Sequence, residues 1–297
     1  MSDSSYIVRD QIVNGKPREI QEPNKRLKPI HNKVKKLLAQ VLTPSYLYSS
    51  KRFCSYKDNA TSHNANDNCL TVDIFSFYQN TQQCYLKSSL IHFFKMSGDV
   101  ADVLANILCY NGHIPTGSPS SQIAAYWAYK HTFDKINSLS VARNITFSLY
   151  VDDMTFSSSE KIDDDFYRKV SGLLKTVGLS IKNTKTKAFG KYEDKHITGI
   201  VLPSGSNIPR VANCKRKSLF EQLNSDVLFL KDMRSIAGRV NQINYVENDL
   251  FCPNLKSKVK KHLKRTELFT LLFFIMCRKN PLLTINSFDL WFKNYLK

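Results

Sequence analysis

Ile145-Thr146-Phe147-Ser148-Leu149-Tyr150-Val151-Asp152-Asp153-Met154-Thr155-Phe156 is the stretch on which the fold turns. Ile145, Phe147, Leu149 and Val151 alternate with the two-residue period of a half-buried strand, which places Tyr150 and Asp152 on the other face. Met154-Thr155-Phe156 resumes extended structure, so the reading is strand, tight acidic turn, strand. A second strand is predicted upstream, from Cys69 to Ile74. Leu70, Val72 and Ile74 alternate there against Thr71 and Asp73, so Asp73 projects from the face opposite the apolar one. If both belong to one sheet, Asp73 and Asp152 leave the same face.

Outward from these strands the order of elements is mixed. Tyr6 to Pro23 reads as a hairpin turning at Asn14-Gly15. An amphipathic helix is predicted from Pro29, with Ile30, Val34, Leu37, Leu38 and Val41 on one face. The polar stretch Ser49 to Asn68 reads as loop. Residues 86–110 and about 120–136 read as helices separated by a break from Gly112 to Pro119. A helix is expected over 163–177, then strands near 179–182, 186–190 and 196–202. The remainder reads as helical and basic, with an apolar segment, Leu268 to Cys277, as a buried helix too short to span a bilayer. The expected class is α+β with a helical C-terminal third.

Composition narrows the function. Forty-three Lys and Arg against 25 Asp and Glu give a net charge of +18. A surplus of that size repels itself, so a polyanionic partner is expected, with nucleic acid leading over an acidic membrane surface. The seven cysteines show no Cys-x-x-Cys spacing, which argues against a disulfide framework or a zinc site. The first residues, Met1-Ser2-Asp3-Ser4, show no basic head and apolar core, so a cytoplasmic protein is expected.

Asp73, Asp152 and Asp153 are the candidate catalytic and metal-binding residues. Like charges gathered at one place repel, unless a cation lies between them. Mg²⁺ suits such a site because it prefers oxygen and takes one or two carboxylates together with substrate phosphates. Two ions roughly 3.5–4 Å apart would serve an in-line phosphoryl displacement.

These residues carry a family resemblance. Tyr150-Val151-Asp152-Asp153 resembles the Tyr-x-Asp-Asp hairpin of reverse transcriptases, and Asp73-Ile74-Phe75-Ser76-Phe77-Tyr78 is similar to the family's first palm motif. Ile114-Pro115-Thr116-Gly117-Ser118-Pro119-Ser120-Ser121 resembles its loop for template and incoming nucleotide. Gly178-Leu179-Ser180-Ile181, continuing to Lys185-Thr186-Lys187, resembles the motif after the catalytic hairpin. Gly15-Lys16-x-Arg18-x-Ile20 resembles the finger element that holds the triphosphate. Asn59-Ala60-Thr61-Ser62-His63 and Ile197-Thr198-Gly199 are similar to two signatures of retron reverse transcriptases, in regions that lie near their noncoding RNA.

The resemblance implies a right-hand polymerase: fingers in 1–70, palm with interleaved finger elements in 71–205, and a basic helical thumb in 206–297. It implies two Mg²⁺ ions on Asp73 and Asp152, with Asp153 in the same motif. Arg18, Thr116, Gly117 and Lys185 would meet the nucleotide, and Tyr78 would exclude a ribose 2′-hydroxyl. Asn59, His63 and Thr198 would lie at the RNA. The cationic run Lys256, Lys258, Lys260, Lys261, Lys264 and Arg265 would track its backbone. The retron likeness further implies a bacterial enzyme that copies a structured noncoding RNA into DNA from deoxynucleoside triphosphates. Its expected product is a branched RNA–DNA molecule primed from an RNA 2′-hydroxyl, with an associated effector protein in anti-phage defence. Valine at 151 and Gln122 in place of a proline depart from the pattern, and only five residues precede the finger hairpin. A defence reverse transcriptase of non-retron type, or a catalytically idle RNA-binding scaffold, remain as alternatives.

Overall fold

A computed structural model of the chain describes residues 5–247, apart from 14, 65–66, 207, 213–214, 216 and 220–229. The chain divides into two units, up to Asn207 and from Ile208 on. The first opens with an antiparallel hairpin, β1 (Tyr6–Val13) and β2 (Lys16–Pro23), then α1 (Lys28–Leu38) and α2 (Tyr56–Thr61). β3 (Asn68–Asp73) leads to α3 (Phe77–Asn80), α4 (Gln83–His92), α5 (Gly98–Leu108) and the long α6 (Ser121–Val141). The acidic hairpin follows as β4 (Thr146–Tyr150) and β5 (Asp153–Ser158), then α7 (Asp164–Lys175), β6 (Lys187–Phe189) and a second hairpin, β7 (Lys195–Ile197) and β8 (Ile200–Leu202).

Strands β4-β5-β3-β6 form one antiparallel sheet in that order. Its apolar face carries Leu70, Val72, Phe147, Leu149, Met154 and Phe156, all buried. They pack against Tyr129, Phe133 and Ile136 of α6 and Phe166, Val170 and Leu174 of α7. Phe147 and Phe156 are cross-strand partners with stacked rings 5.0 Å apart. Fully burying one such side chain contributes about 1.5–3 kcal/mol, so this layer fixes the sheet's register. A second cluster joins α4, α5 and α6 through Leu86, Leu90, Ala105, Leu108 and Ala124.

Several expectations change in detail. The polar stretch 49–68 contains α2, whose Ser55 N-cap forms a capping box with Asp58. The helix expected over 86–110 is two helices, broken where Lys95 takes a positive φ of 55°. The strand expected near 179–182 is reduced to a single bridge between Ile74 and Ile181, because Gly178, at φ 75°, turns the chain sharply after α7. The segment 196–202 is a hairpin rather than one strand, turning at Thr198 and Gly199, both at positive φ. On α1 the expected apolar face is half used: Leu38 is buried, Ile30 and Leu37 stay exposed, and the polar His31 goes inside instead. There it meets Tyr6, Ser118 and Ser120.

In the second unit β9 (Arg210–Val211) and α8 (Leu230–Val246) are described. Ile236, Val240 and Ile243 form the buried stripe of α8, and the Val211 amide donates to Glu247 at 3.0 Å. Lys256, Lys258, Lys260, Lys261, Lys264, Arg265 and the segment Leu268 to Cys277 lie outside the described residues.

Candidate active site

The hairpin between β4 and β5 is as tight as the sequence suggests. Tyr150 pairs with Asp153, leaving Val151 and Asp152 as the turn. Val151 takes a φ of 61°, a left-handed conformation that a β-branched residue adopts only when its surroundings impose it. Those surroundings are visible. The Val151 amide donates to Ser49 Oγ at 3.0 Å, and the Ile74 amide donates to the Asp152 carbonyl at 2.9 Å. Two residues before Val151, Leu149 donates to the Tyr46 carbonyl and accepts from the Tyr48 amide, at 2.7 and 3.0 Å.

Sheet register then brings the acids together. β3 runs antiparallel to β5 with Asp73 opposite Asp153, so residues eighty positions apart in sequence become direct cross-strand partners. Asp73 is 5% exposed. Its carbonyl accepts from the Lys182 amide at 2.8 Å, and its carboxylate is ion-paired with the Lys185 ammonium. An open pocket of about 430 Å³ lies over the group, lined by Asp73, Tyr150, Asp153, Lys185, Lys187 and His196 among others.

The electrostatics follow from the crowding. Burial, then the charges of Asp152 and Asp73, push Asp153 up to about 7 against the opposing pull of Lys185. Asp152 is raised by burial and by Asp73, while Lys185 and Arg18 work the other way. For Lys185 burial acts to lower the pKa, but the hydrogen bond to Asp73 and the three carboxylates outweigh it and raise it. Among the described residues no three His, Cys, Asp or Glu side chains converge into a ready metal cage. The donor set nevertheless fits a hard cation that arrives with phosphate oxygens. It offers oxygen ligands only, and it holds an excess of negative charge that a divalent ion relieves.

The sequence profile of the family described as reverse transcriptase (RNA-dependent DNA polymerase) matches residues 8–202. The chain belongs to that family. Among curated relatives of this reverse transcriptase, the Retron Se72 reverse transcriptase of Salmonella heidelberg is 28% identical over 213 residues, covering 69% of this chain and 55% of that protein. The Retron Ec83 reverse transcriptase of Escherichia coli is 25% identical over 210 residues, covering 64% and 66%. The match spans between half and two thirds of the length of those relatives. Both carry the retron name, in line with the retron signatures read from the sequence. Among solved structures, apo telomerase from Candida tropicalis aligns with a TM-score of 0.54 at 12% identity, over 79% of this chain and 52% of that one. A form of it truncated from its C-terminal domain aligns at 0.50 and 14% identity, over 69% and 54%. At such identities the likeness is one of fold: a polymerase fold of mixed helices and sheets.

Around the aspartates the reverse transcriptase places the remaining candidates unevenly. The Tyr78 phenol is raised by burial first and then by the charge of Asp152, while a hydrogen bond with Gln122 opposes, so this ring stands beside the acidic turn. Arg18 is on β2, and its charge is felt at Asp152. Thr116 and Gly117 are engaged by that same strand. Thr116 Oγ1 accepts from the Gln21 amide at 3.2 Å and donates to the Glu19 carbonyl at 3.0 Å; the Gly117 amide donates to Gln21 at 3.1 Å. A Cβ on Gly117 would sit 2.8 Å from both Glu22 and Ile20 side-chain carbons, so glycine permits an approach to protein backbone here.

Of the three residues expected at the RNA, Asn59 and His63 are enclosed, while Thr198 is half-buried and lines the pocket over the aspartates. Asn59 and His63 are 0% exposed. His63 bonds Ser157 Oγ through Nδ1 at 2.6 Å and Ser148 Oγ through Nε2 at 2.7 Å. Burial, and then Lys195, lowers it to about 4. Asn59 donates to Thr198 Oγ1 at 3.4 Å, and Thr198 Oγ1 donates to the Tyr56 carbonyl at 3.2 Å. These side chains tie α2 to the sheet and to the turn of the β7–β8 hairpin, and a fully enclosed ring is unavailable to a strand outside. Ser49 and Gln122, which brace the turn and Tyr78, were not among the sequence candidates; Gln122 showed only as a departure from the family's loop pattern.

Proposed function

We propose that the chain is an RNA-directed DNA polymerase of retron type. The observation that carries this reading is the register of Asp73 opposite Asp153, with Asp152 in the adjoining turn and Lys185 on Asp73. Residues 1–70 would supply fingers, 71–205 the palm with interleaved finger elements, and 206–297 a basic thumb.

In this reading Asp73 and Asp152 would hold two Mg²⁺ ions, and Asp153 sets the local charge. Bound there, such ions would supply Lewis acidity to the attacking hydroxyl and the leaving oxygen. The primer hydroxyl attacks the α-phosphate, the bond to the β-phosphate breaks and pyrophosphate leaves. Arg18 orients the triphosphate through its planar fork. Tyr78 bars a 2′-hydroxyl, which selects deoxynucleotides. Lys185, already paired with an acid in the site, neutralises the departing pyrophosphate and donates its proton to it.

Similarity to two retron reverse transcriptases supports the finer reading: a structured noncoding RNA as template, priming from an RNA 2′-hydroxyl, a branched single-stranded DNA product, and an effector partner in anti-phage defence. Primer extension on an RNA template tests the chemistry. Wild type should incorporate deoxynucleotides and Asp152→Asn should not; no incorporation by either would leave an RNA-binding scaffold. Copurifying nucleic acid that needs a debranching enzyme for its two strands to separate would support the retron product.

A further inference from the structure

Residues 50–54 form a short loop that presents Phe53 with 99% of its surface open. Burying such a ring contributes about 1.5–3 kcal/mol, which the fold forgoes here. Ser50 and Phe53 both hold positive φ, 54° and 60°, a region that costs a bulky residue about 1–3 kcal/mol. The loop is nonetheless anchored on both sides. Ser49 accepts from the catalytic turn at Val151, and Ser50 Oγ donates to Gln122 Oε1 at 2.9 Å. Lys51 Nζ donates to the Pro44 carbonyl at 3.1 Å, and Ser55 caps α2. Because a chain spans at most about 3.6 Å per residue, four steps hold Phe53 within about 14 Å of Ser49, which touches the turn.

Along the chain, the segment that carries the ring is rich in cations. Residues 23–57 contain nine Lys and Arg and no Asp or Glu. Arg52 stands exposed beside Phe53, and Lys28, Lys33, Lys35 and Lys36 are exposed on α1. An open aromatic face on a cation-rich segment matches single-stranded nucleic acid, whose bases stack and whose backbone is anionic.

We propose that Phe53 is a stacking platform for a base of single-stranded RNA leading to the catalytic turn, with Arg52 and the α1 lysines neutralising the phosphates. The polymerase reading supplies only the strand's direction, and binding is measured without catalysis. The full chain is titrated with a short fluorescein-labelled RNA and, separately, with a blunt RNA duplex, by fluorescence anisotropy. Phe53→Asn removes the ring while tolerating the left-handed backbone. It should weaken single-strand binding about 5- to 100-fold, the range of one base–aromatic stack, and leave duplex binding unchanged. Phe53→Trp should restore the affinity. Single-strand affinity within about twofold of wild type for Phe53→Asn, an equal loss on duplex, or no rescue by Trp each overturns the proposal. Primer extension by wild type reports independently on the polymerase reading. Loss of RNA affinity in Phe53→Asn alongside an inactive wild type would sink that reading and keep this one.

Discussion

Lys185 is ion-paired with Asp73, joining the segment after α7 to the end of β3. Its ammonium acts on both Asp152 and Asp153 to keep them ionised, while Arg18 acts on Asp152. Lys185→Met should therefore do more than remove a proton donor. Both carboxylates should titrate higher, so the acid limb of the pH–rate profile should move upward. Extension at neutral pH should fall by about 10²-fold, the lower range for a lost general acid. A fall in rate with the acid limb unmoved would show that Lys185 does not govern the aspartates.

Asp153, pushed up to about 7 from an ordinary value of 3.8, links the site to stability. Over that window the folded chain binds more protons than the unfolded one, so this group's contribution is fully present at low pH and lost as pH rises through 7. Asp153→Asn should remove that loss and stabilise the protein by about 2 kcal/mol at pH 8, allowing for the coupling among the three acids. Thermal melts at pH 5 and pH 8 measure it. Added Mg²⁺ should raise the wild-type melting temperature at pH 8 and leave that of Asp73→Asn/Asp152→Asn unchanged.

His63 bridges Ser148 and Ser157 from inside the fold. Replacement by Ala strands two buried hydroxyls and opens a cavity, with an expected cost of about 2–4 kcal/mol in denaturant unfolding. A variant of unchanged stability and weakened RNA binding would reverse the assignment of this ring to the interior.

Gly117 lies against β2 so closely that a methyl group meets Glu22, Ile20 and the Gln21 carbonyl, all within 2.9 Å. Gly117→Ala should push β2 away and carry Arg18 with it. The expected signature is a rise of about tenfold or more in KM for the deoxynucleotide, on the scale of a displaced positioning group. Steady-state kinetics on a saturating primer–template separates this from a fall in kcat alone.

How much of this was legible beforehand depends on how many neighbours a residue has. The acidic hairpin and the Asp73 strand were readable because their apolar residues alternate over one packed face. Alternation failed on β4, where Phe147, Ser148 and Leu149 are all buried. His63 covers the second face there, and a serine that pairs with a buried histidine looks in sequence like a serine in water. α2 was announced by Ser55 and Asp58 at capping-box spacing, but its polar composition masked the signal. The bridge at Ile181 and the break at Lys95 depend on backbone turns that residue type scarcely encodes. Arg18, Tyr78 and Lys185 were found through family likeness, because only folding brings them within reach of the aspartates' charge.

The amide of Val151 finds its acceptor on Ser49, about a hundred residues upstream. The acidic turn is therefore not a portable cassette. A chimera that takes its four residues from a relative, without a hydroxyl at the upstream position, inherits an amide with nothing to donate to and a valine with no reason to stay left-handed. Recombination between such enzymes succeeds when both segments descend from the same parent.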